Sequence, residues 1–396
     1  MCNIPWNVAD NAELELFFEK WVPGAKIPDR RKLSGTYLDE AVESVIQKTR
    51  TDVRTKFATG QSDGWKNIAK TSVITSMMSV ERQAHLLQTH NMAGLPKTGE
   101  QHCEIIKADM KYMRDTYEVH PIAWVTDDGP DGKGARNLLR KLFPWLVTLV
   151  CWGHQANLLA GDFLTFPVYS DTISSALDIV RWFNNHSAAL DLFNQEQTYT
   201  YRDRPRPRAL FLPAVTRWTT TSQTMTRLID VKSALKTCVV RHREQLLEIG
   251  EKSQTANAKE SARKVIASIE DEAFWSRLDR AEANLKPIAV ATNILQASHT
   301  RLDHVLLTLG NLYRIYSTDE SADGEVRERM LLRLELRWKK GAGKDQDLFI
   351  LAVFFNPFIR GYCFNREAIS SADIFNMATL LRAVLELEVR TSGPQL

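Results

Sequence analysis

Between Pro121 and Leu159 the chain reads PIAWVTDDGPDGKGARNLLRKLFPWLVTLVCWGHQANLL, and this stretch limits what the rest can be. A short apolar run, Ile122 to Val125, stops at Thr126-Asp127-Asp128-Gly129. That is the pattern of a buried strand delivering a carboxylate to its C-terminal edge. Gly129, Pro130, Gly132 and Gly134 break the pattern, and the spacing predicts a helix over 135–143 with Leu138, Leu139, Leu142 and Phe143 on one face. A second apolar run, Leu146 to Val150, ends in Cys151-Trp152-Gly153-His154 and leads into a helix from Gln155 to Phe163. Strand, acid, helix, strand, Cys-x-x-His, helix describes an α/β core with polar chemistry at its strand ends, the edge at which open α/β sheets bind ligands.

The flanks extend that core. Residues 1–57 read as a helical lead-in, with Asp10 capping a helix over Ala12–Trp21, a stop at Val22-Pro23-Gly24, a loop at Ile27-Pro28 and a longer helix after Ser34-Gly35-Thr36. Gly60 to Trp65 is a polar break containing Asp63. Phe57 to Ala93 suits three antiparallel strands, two of them Thr71–Val80 and Arg82–Met92, followed by a helix over Gly99–Tyr117. Together with the strands before Asp127 and Cys151 they predict a five-stranded mixed sheet over residues 58–168. Beyond Phe166 the periodicity is helical throughout: an all-helical region over 169–340, then helices over 341–396 that return to the core. Within it, Tyr199–Arg208 is a Pro/Arg loop, Thr219–Leu247 reads as one helical stretch, and Glu272–Gln296 and Leu302–Ser317 are long amphipathic helices.

A length of 396 residues suits two domains, or one α/β domain with a large insertion. The net charge of +3 permits nucleic-acid binding without arguing for it. Five scattered cysteines without CxxC spacing exclude a disulfide framework and point to a reducing compartment. No run approaches the roughly 18 apolar residues of a membrane span, and the first residues lack the marks of a secretory signal. The expectation is an intracellular protein with no membrane partner.

Six segments, in order, resemble the hAT superfamily of transposases. They are Pro5-Trp6 with the Glu13–Trp21 helix and Ile27-Pro28; Ser62-Asp63-Gly64-Trp65-Lys66-Asn67; Val125-Thr126-Asp127-Asp128 through Arg136; Cys151-Trp152-Gly153-His154-Gln155-Ala156-Asn157-Leu158; Thr216-Arg217-Trp218-Thr219-Thr220-Thr221; and LAVFFNPFIR over Leu351–Arg360. The resemblance spans about residues 4–362. It implies a ribonuclease H-like core, action on DNA and a nuclear location. A BED-type zinc finger ahead of the core, and the C-terminal dimerisation segment with its SxxxER motif, are not found in the 396 residues. Homo-oligomerisation is expected only where that segment exists.

In such nucleases clustered carboxylates hold two Mg²⁺ or Mn²⁺ ions about 3.5–4 Å apart, and hard cations call for oxygen ligands. Asp63 and Asp127 are the candidate catalytic and metal-binding pair. Taken alone Asp63 reads as a turn cap with Gly64; in the ordered set it takes the acid position. Asp128 and Asp131 read as turn formers. Glu367, Glu386 and Glu388 are late carboxylates without the SxxxER surroundings, so no third acid is identified and the chain alone is expected to be inert. Cys151 and His154 have zinc-finger spacing but only two ligands, with Cys103 and His120 as conceivable additions. The resemblance implies instead that the pair orients the active-site edge. Arg217 and Trp218 read either as a core Trp beside an ion-paired Arg or, as the resemblance implies, as support for a flipped base by stacking. Arg202, Arg204, Arg206 and Arg208 form a basic comb suited to phosphates, or simply an exposed loop. The leading expectation is a transposase-derived, catalytically silent protein, truncated or domesticated, that at most binds DNA or a protein partner. An active metal-dependent transposase seen as a fragment, and a helical interaction scaffold, are the alternatives.

Overall fold

The computed structural model describes residues 4–214, 218–252, 258–318 and 324–391. Two compact units divide the chain, Met1–Thr148 and Leu149–Leu396. The first opens with a 3-10 turn at Trp6–Asp10, then α1 (Ala12–Trp21), α2 (Arg30–Ser34) and α3 (Thr36–Val53). There follow β1 (Phe57–Lys66), β2 (Ser72–Val80), β3 (Gln83–Asn91), α4 (Gly99–Tyr117), β4 (His120–Thr126) and α5 (Pro130–Leu142); β5 (Val147–Val150) spans the division. The second unit continues with α6 (Trp152–Leu164), α7 (Pro167–Asn185), α8 (Ser187–Thr200), α9 (Thr219–Asp230) and α10 (Lys232–Lys252). Then come α11 (Ala258–Glu270), α12 (Glu272–Gln296), α13 (Leu302–Thr318) and α14 (Gly324–Gly341), a 3-10 turn at Gly343–Asp345, α15 (Gln346–Phe354) and α16 (Ser371–Thr391).

The five strands form one mixed sheet in the order β3-β2-β1-β4-β5. β1 pairs antiparallel with β2 and parallel with β4, and β2 pairs antiparallel with β3. Burial alternates along β1, with Ala58, Gly60 and Ser62 turned inward. Against that face lie Ile106, Met110 and Met113 of α4, Ala135 and Leu139 of α5, and Trp124 of β4. Trp124 is fully buried, and its ring lies so close to β1 that a Cβ at Gly60 would stand 2.1 Å from it. Only glycine leaves room there. Helix α4 begins where the Thr98 side chain accepts from the Gln101 N–H, and ends at Glu118 in the left-handed region.

Unit 2 is helical around its own core, which includes Phe163, Tyr169, Phe183, Phe193, Trp275 and Tyr316. α12 runs through it in contact with α6, α7, α9 and α13. The Tyr316 hydroxyl donates to the Asn284 carbonyl at 2.6 Å, so even this buried polar end is satisfied.

Several expectations need correction. α1 is capped by Asn11, whose side chain accepts from the Glu13 N–H; Asp10 instead accepts from the Arg30 N–H at 2.9 Å. Ile27-Pro28 is a loop, and α2 follows it as a short helix that the sequence reading did not assign, with the Asp29 side chain accepting from the Arg31 and Lys32 N–H groups. The polar run Gly60–Trp65 lies inside β1, because a strand bonded on both sides overrides weak propensity. α5 starts at Pro130 rather than Ala135: proline suits a first helical position, and Gly132 is kept small by Asp127, whose Oδ1 would stand 2.7 Å from a Cβ. Thr219–Leu247 is broken at Val231, and α10 carries a non-helical residue at His242. Glu367 lies in a turn, not a helix.

Candidate functional site

The parallel ladder between β1 and β4 ends at the pair Ser62 and Thr126. Asp63 is the next residue of β1, which runs on to Lys66 beside β2, and Asp127 is the first residue after β4, so two positions 64 apart in sequence stand on adjoining strands just past the parallel ladder. Their side chains have different settings. Ser62 faces α4, and the pleat therefore sends Asp63 to the other face of the sheet, where it is exposed. Asp127 has left the strand, and its Oδ1 accepts the Gly129 N–H at 3.1 Å at the start of α5. A carboxylate at that place is favoured by the helix N-terminus.

The neighbouring charges are also engaged. Arg136, buried on α5, donates to the Thr126 hydroxyl and the Asp127 carbonyl, and its Nη2 donates to Asp128 Oδ1 at 2.9 Å. Burial pulls the Arg136 pKa down, and Asp128 opposes it. Asp131 lies 3.9 Å from the Lys97 ammonium. Asp128 and Asp131, read as turn formers, thus take part in ion pairs around the first turn of α5.

Beneath this edge runs a buried polar strip that sequence reading missed. His102 of α4 places Nε2 2.9 Å from Ser62 Oγ, which also accepts from the Trp124 indole N–H at 3.1 Å. His102 is 4% exposed and its Nδ1 has no hydrogen-bond partner. Burial lowers its pKa, while Asp131 and Asp127 pull it upward. One helical face further along, Asp109 meets His90 of β3 at 2.9 Å. The signal was available: His102 and Asp109 are seven apart, on the same stripe as Ile105, Ile106, Met110 and Met113.

The remaining candidates lie in unit 2. Cys151 stands at the N-cap position of α6 and is half-buried, as is His154. Trp218 precedes α9, 43% exposed, with its indole resting on α6 at Gly161. Arg217 lies outside the described residues. The basic comb is folded back on the protein. Arg204 donates to both oxygens of Asp230, at 2.9 and 3.3 Å, while its guanidinium lies 3.7 Å from the centre of the Tyr201 ring. Arg208 donates to the same carboxylate at 2.6 Å. Arg206 is exposed. Of the late carboxylates, Glu367 is exposed, and the side chains of Glu386 and Glu388 lie outside the described residues. Cys103 is buried in the unit 1 core, and His120 opens β4 beside Phe57.

Among the described residues no three His, Cys, Asp or Glu side chains converge to hold a metal. Magnesium demands near-ideal octahedral oxygen coordination. Asp63, turned to the face away from α4, and Asp127, bonded to the Gly129 N–H, do not by themselves make that donor set. The chain matches no family model, and no curated protein is similar to it in sequence. No described helix is long and apolar enough to cross a membrane.

Proposed function

We propose that the chain is a transposase-derived protein with a ribonuclease H-like core, which binds DNA in the nucleus without cutting it. The observation that carries this reading is the placement of Asp63 and Asp127 on adjoining strands, just past the last pair of the parallel ladder between β1 and β4. That arrangement belongs to the ligand-binding edge of an α/β sheet. Silence in catalysis is supported by what the carboxylates already do: Asp127 accepts the Gly129 N–H in the turn before α5, Asp128 pairs with Arg136, and Asp131 stands by Lys97.

Trp218 supports the DNA side of the reading. A half-open indole seated on a helix offers a face on which any base can stack. The test is direct titration of duplex and hairpin DNA over a range of salt. Binding that weakens steeply as salt rises is expected, since phosphate contacts release counterions. Trp218→Ala is expected to weaken hairpin DNA by roughly 1–3 kcal/mol, the worth of one stacked base, and duplex DNA much less. Absence of binding to either DNA overturns the proposal and leaves the interaction-scaffold reading.

A further inference from the structure

Strand β3 stands at the edge of the sheet and pairs there with β2 alone. The register slips between Ser76 and Met77, so Leu87 has no residue opposite it and divides the strand. Leu87 is buried, as is Met92 just past the strand end. Of the four residues between them, Gln88, Thr89 and Asn91 are exposed and His90 alone is partly covered. Its ring reaches α4, where Nε2 lies 2.9 Å from Asp109 Oδ1. The Asp109 side chain is wholly buried, and that of His90 is 21% exposed. The pair ties the second half of β3 to the helix that covers the sheet.

The charges around this tie are of one kind. β2 and β3 contain no Lys, Arg, Asp or Glu, and their only ionisable side chains are His85 and His90. His85 answers to Asp52 of α3 instead. The cations of α4 are engaged elsewhere: Lys107 donates to Glu104, Lys111 pairs with Asp115, and Arg114 lies over the Trp145 ring. Asp109 is left with Ser76 of β2, His90 of β3 and His102 of its own helix. The Ser76 hydroxyl stands close enough to favour the ionised form without completing a hydrogen bond, and Asp109 Oδ2 has no hydrogen-bond partner. Burying a carboxylate is costly unless a partner charge answers it. Here the groups placed to answer are histidines, which ordinarily change charge between pH 5 and 8.

We infer that the His90–Asp109 contact is an acid-fastened latch, which ties the second half of the edge strand to α4 and slackens as pH rises. Closing the latch buries the Asp109 carboxyl and favours its protonated form; opening returns it to water. Burial holds the carboxyl above its ordinary value of 3.8 in the closed state. The contribution is therefore fully present below pH 3.8 and is lost as pH rises through the higher value. The latch does not depend on DNA binding.

The experiment is hydrogen exchange of the full chain between about pH 4.5 and 8, corrected for the intrinsic pH dependence of exchange. Amides of β4 serve as the reference within the same unit, because protonation of His102 acts on that unit in the opposite sense. Protection over Gln88–Asn91 is expected to fall about tenfold more than that of β4, the effect of about one pKa unit between closed and open latch. In Asp109→Asn, whose amide does not ionise, the excess fall should vanish. A ¹³C-carboxyl titration of Asp109 in the wild-type chain gives a readout that needs no variant. Its midpoint should lie above 3.8 and coincide with the loss of protection. The inference is overturned if Gln88–Asn91 keeps pace with β4, if the excess fall persists in Asp109→Asn, or if the carboxyl titrates at or below 3.8.

Discussion

Asp303 in unit 2 and Asp109 in unit 1 are both buried carboxylates, 2% and 0% exposed, and their surroundings differ in kind. Asp303 is answered on each oxygen: Arg301 donates at 2.9 and 2.6 Å, and the Asn356 amide adds a bond at 2.7 Å. Burial alone would raise its pKa, but the Arg301 and Asn356 hydrogen bonds outweigh it and bring the carboxyl down to about 2. Asp109 meets His90 through one oxygen, and the other has no hydrogen-bond partner. Here burial wins and the carboxyl is raised above its ordinary range. Unit 2 uses buried charge as a closed clamp that fixes Asn356, the residue in the Leu351–Arg360 segment. Unit 1 leaves Asp109 Oδ2 and His102 Nδ1 without partners on the α4 side of the sheet. Buried groups of this kind are uncommon; unit 2 has its own in Trp152 Nε1 and Trp182 Nε1, so the contrast is between the two carboxylates.

The sharpest challenge to that contrast comes from the rigid wall behind the strip. Gly60→Ala forces a methyl into the Trp124 ring and is expected to cost about 3 kcal/mol, the upper end for overpacking, in unit 1. Hydrogen exchange along β1 and β4 should register it, while α12 amides stay protected. Equal loss in both units would mean that they do not unfold separately.

Next in size is Asp303→Asn, expected to cost about 2 kcal/mol at pH 7. Because the folded pKa is depressed, that stability is present above pH 3.8 and is lost as pH falls toward about 2. Chemical denaturation at several pH values should show the penalty shrinking with acid. Asp109→Asn should behave in the opposite sense. A raised folded pKa means that folding favours the protonated acid, so stability falls as pH rises through that pKa. The neutral amide is therefore expected to cost within about 1 kcal/mol at pH 7, and to be least tolerated in acid. Similar penalties for the two variants at pH 7 would erase the distinction between clamp and strip.

The smallest effect concerns His102. Its pKa is lowered by burial, so the unfolded chain binds the extra proton first and stability declines as pH drops below 6.5. His102→Gln should flatten that part of the unit 1 pH profile, and an unchanged profile would show that His102 is not the group responsible.

Much of the architecture was legible in the sequence. The strands β2, β3, β4 and β5, α4 and the exact limits of α12 follow from apolar period and from Gly and Pro punctuation, because burial on one face writes itself into spacing. Asp127 was legible for the same reason, as the residue after a buried apolar run. What could not be read was anything decided by a partner remote in sequence. β1 runs through Gly60–Trp65 because β2 and β4 bond it from both sides; the start of α5 depends on the Asp127 side chain; Arg204 and Arg208 looked free until Asp230 came beside them. His102 and Asp109 went unnoticed because a polar residue on an apolar stripe is visible only when that stripe is asked what it covers.

Strand scission in the presence of Mn²⁺ tests the central claim most directly, with labelled duplex and hairpin DNA at saturating protein. The expected result is DNA that is bound and remains intact, in wild type and in Asp127→Asn alike. Nicked product from the wild-type chain that disappears in Asp127→Asn would contradict it, and would make the Asp63–Asp127 edge a working nuclease site.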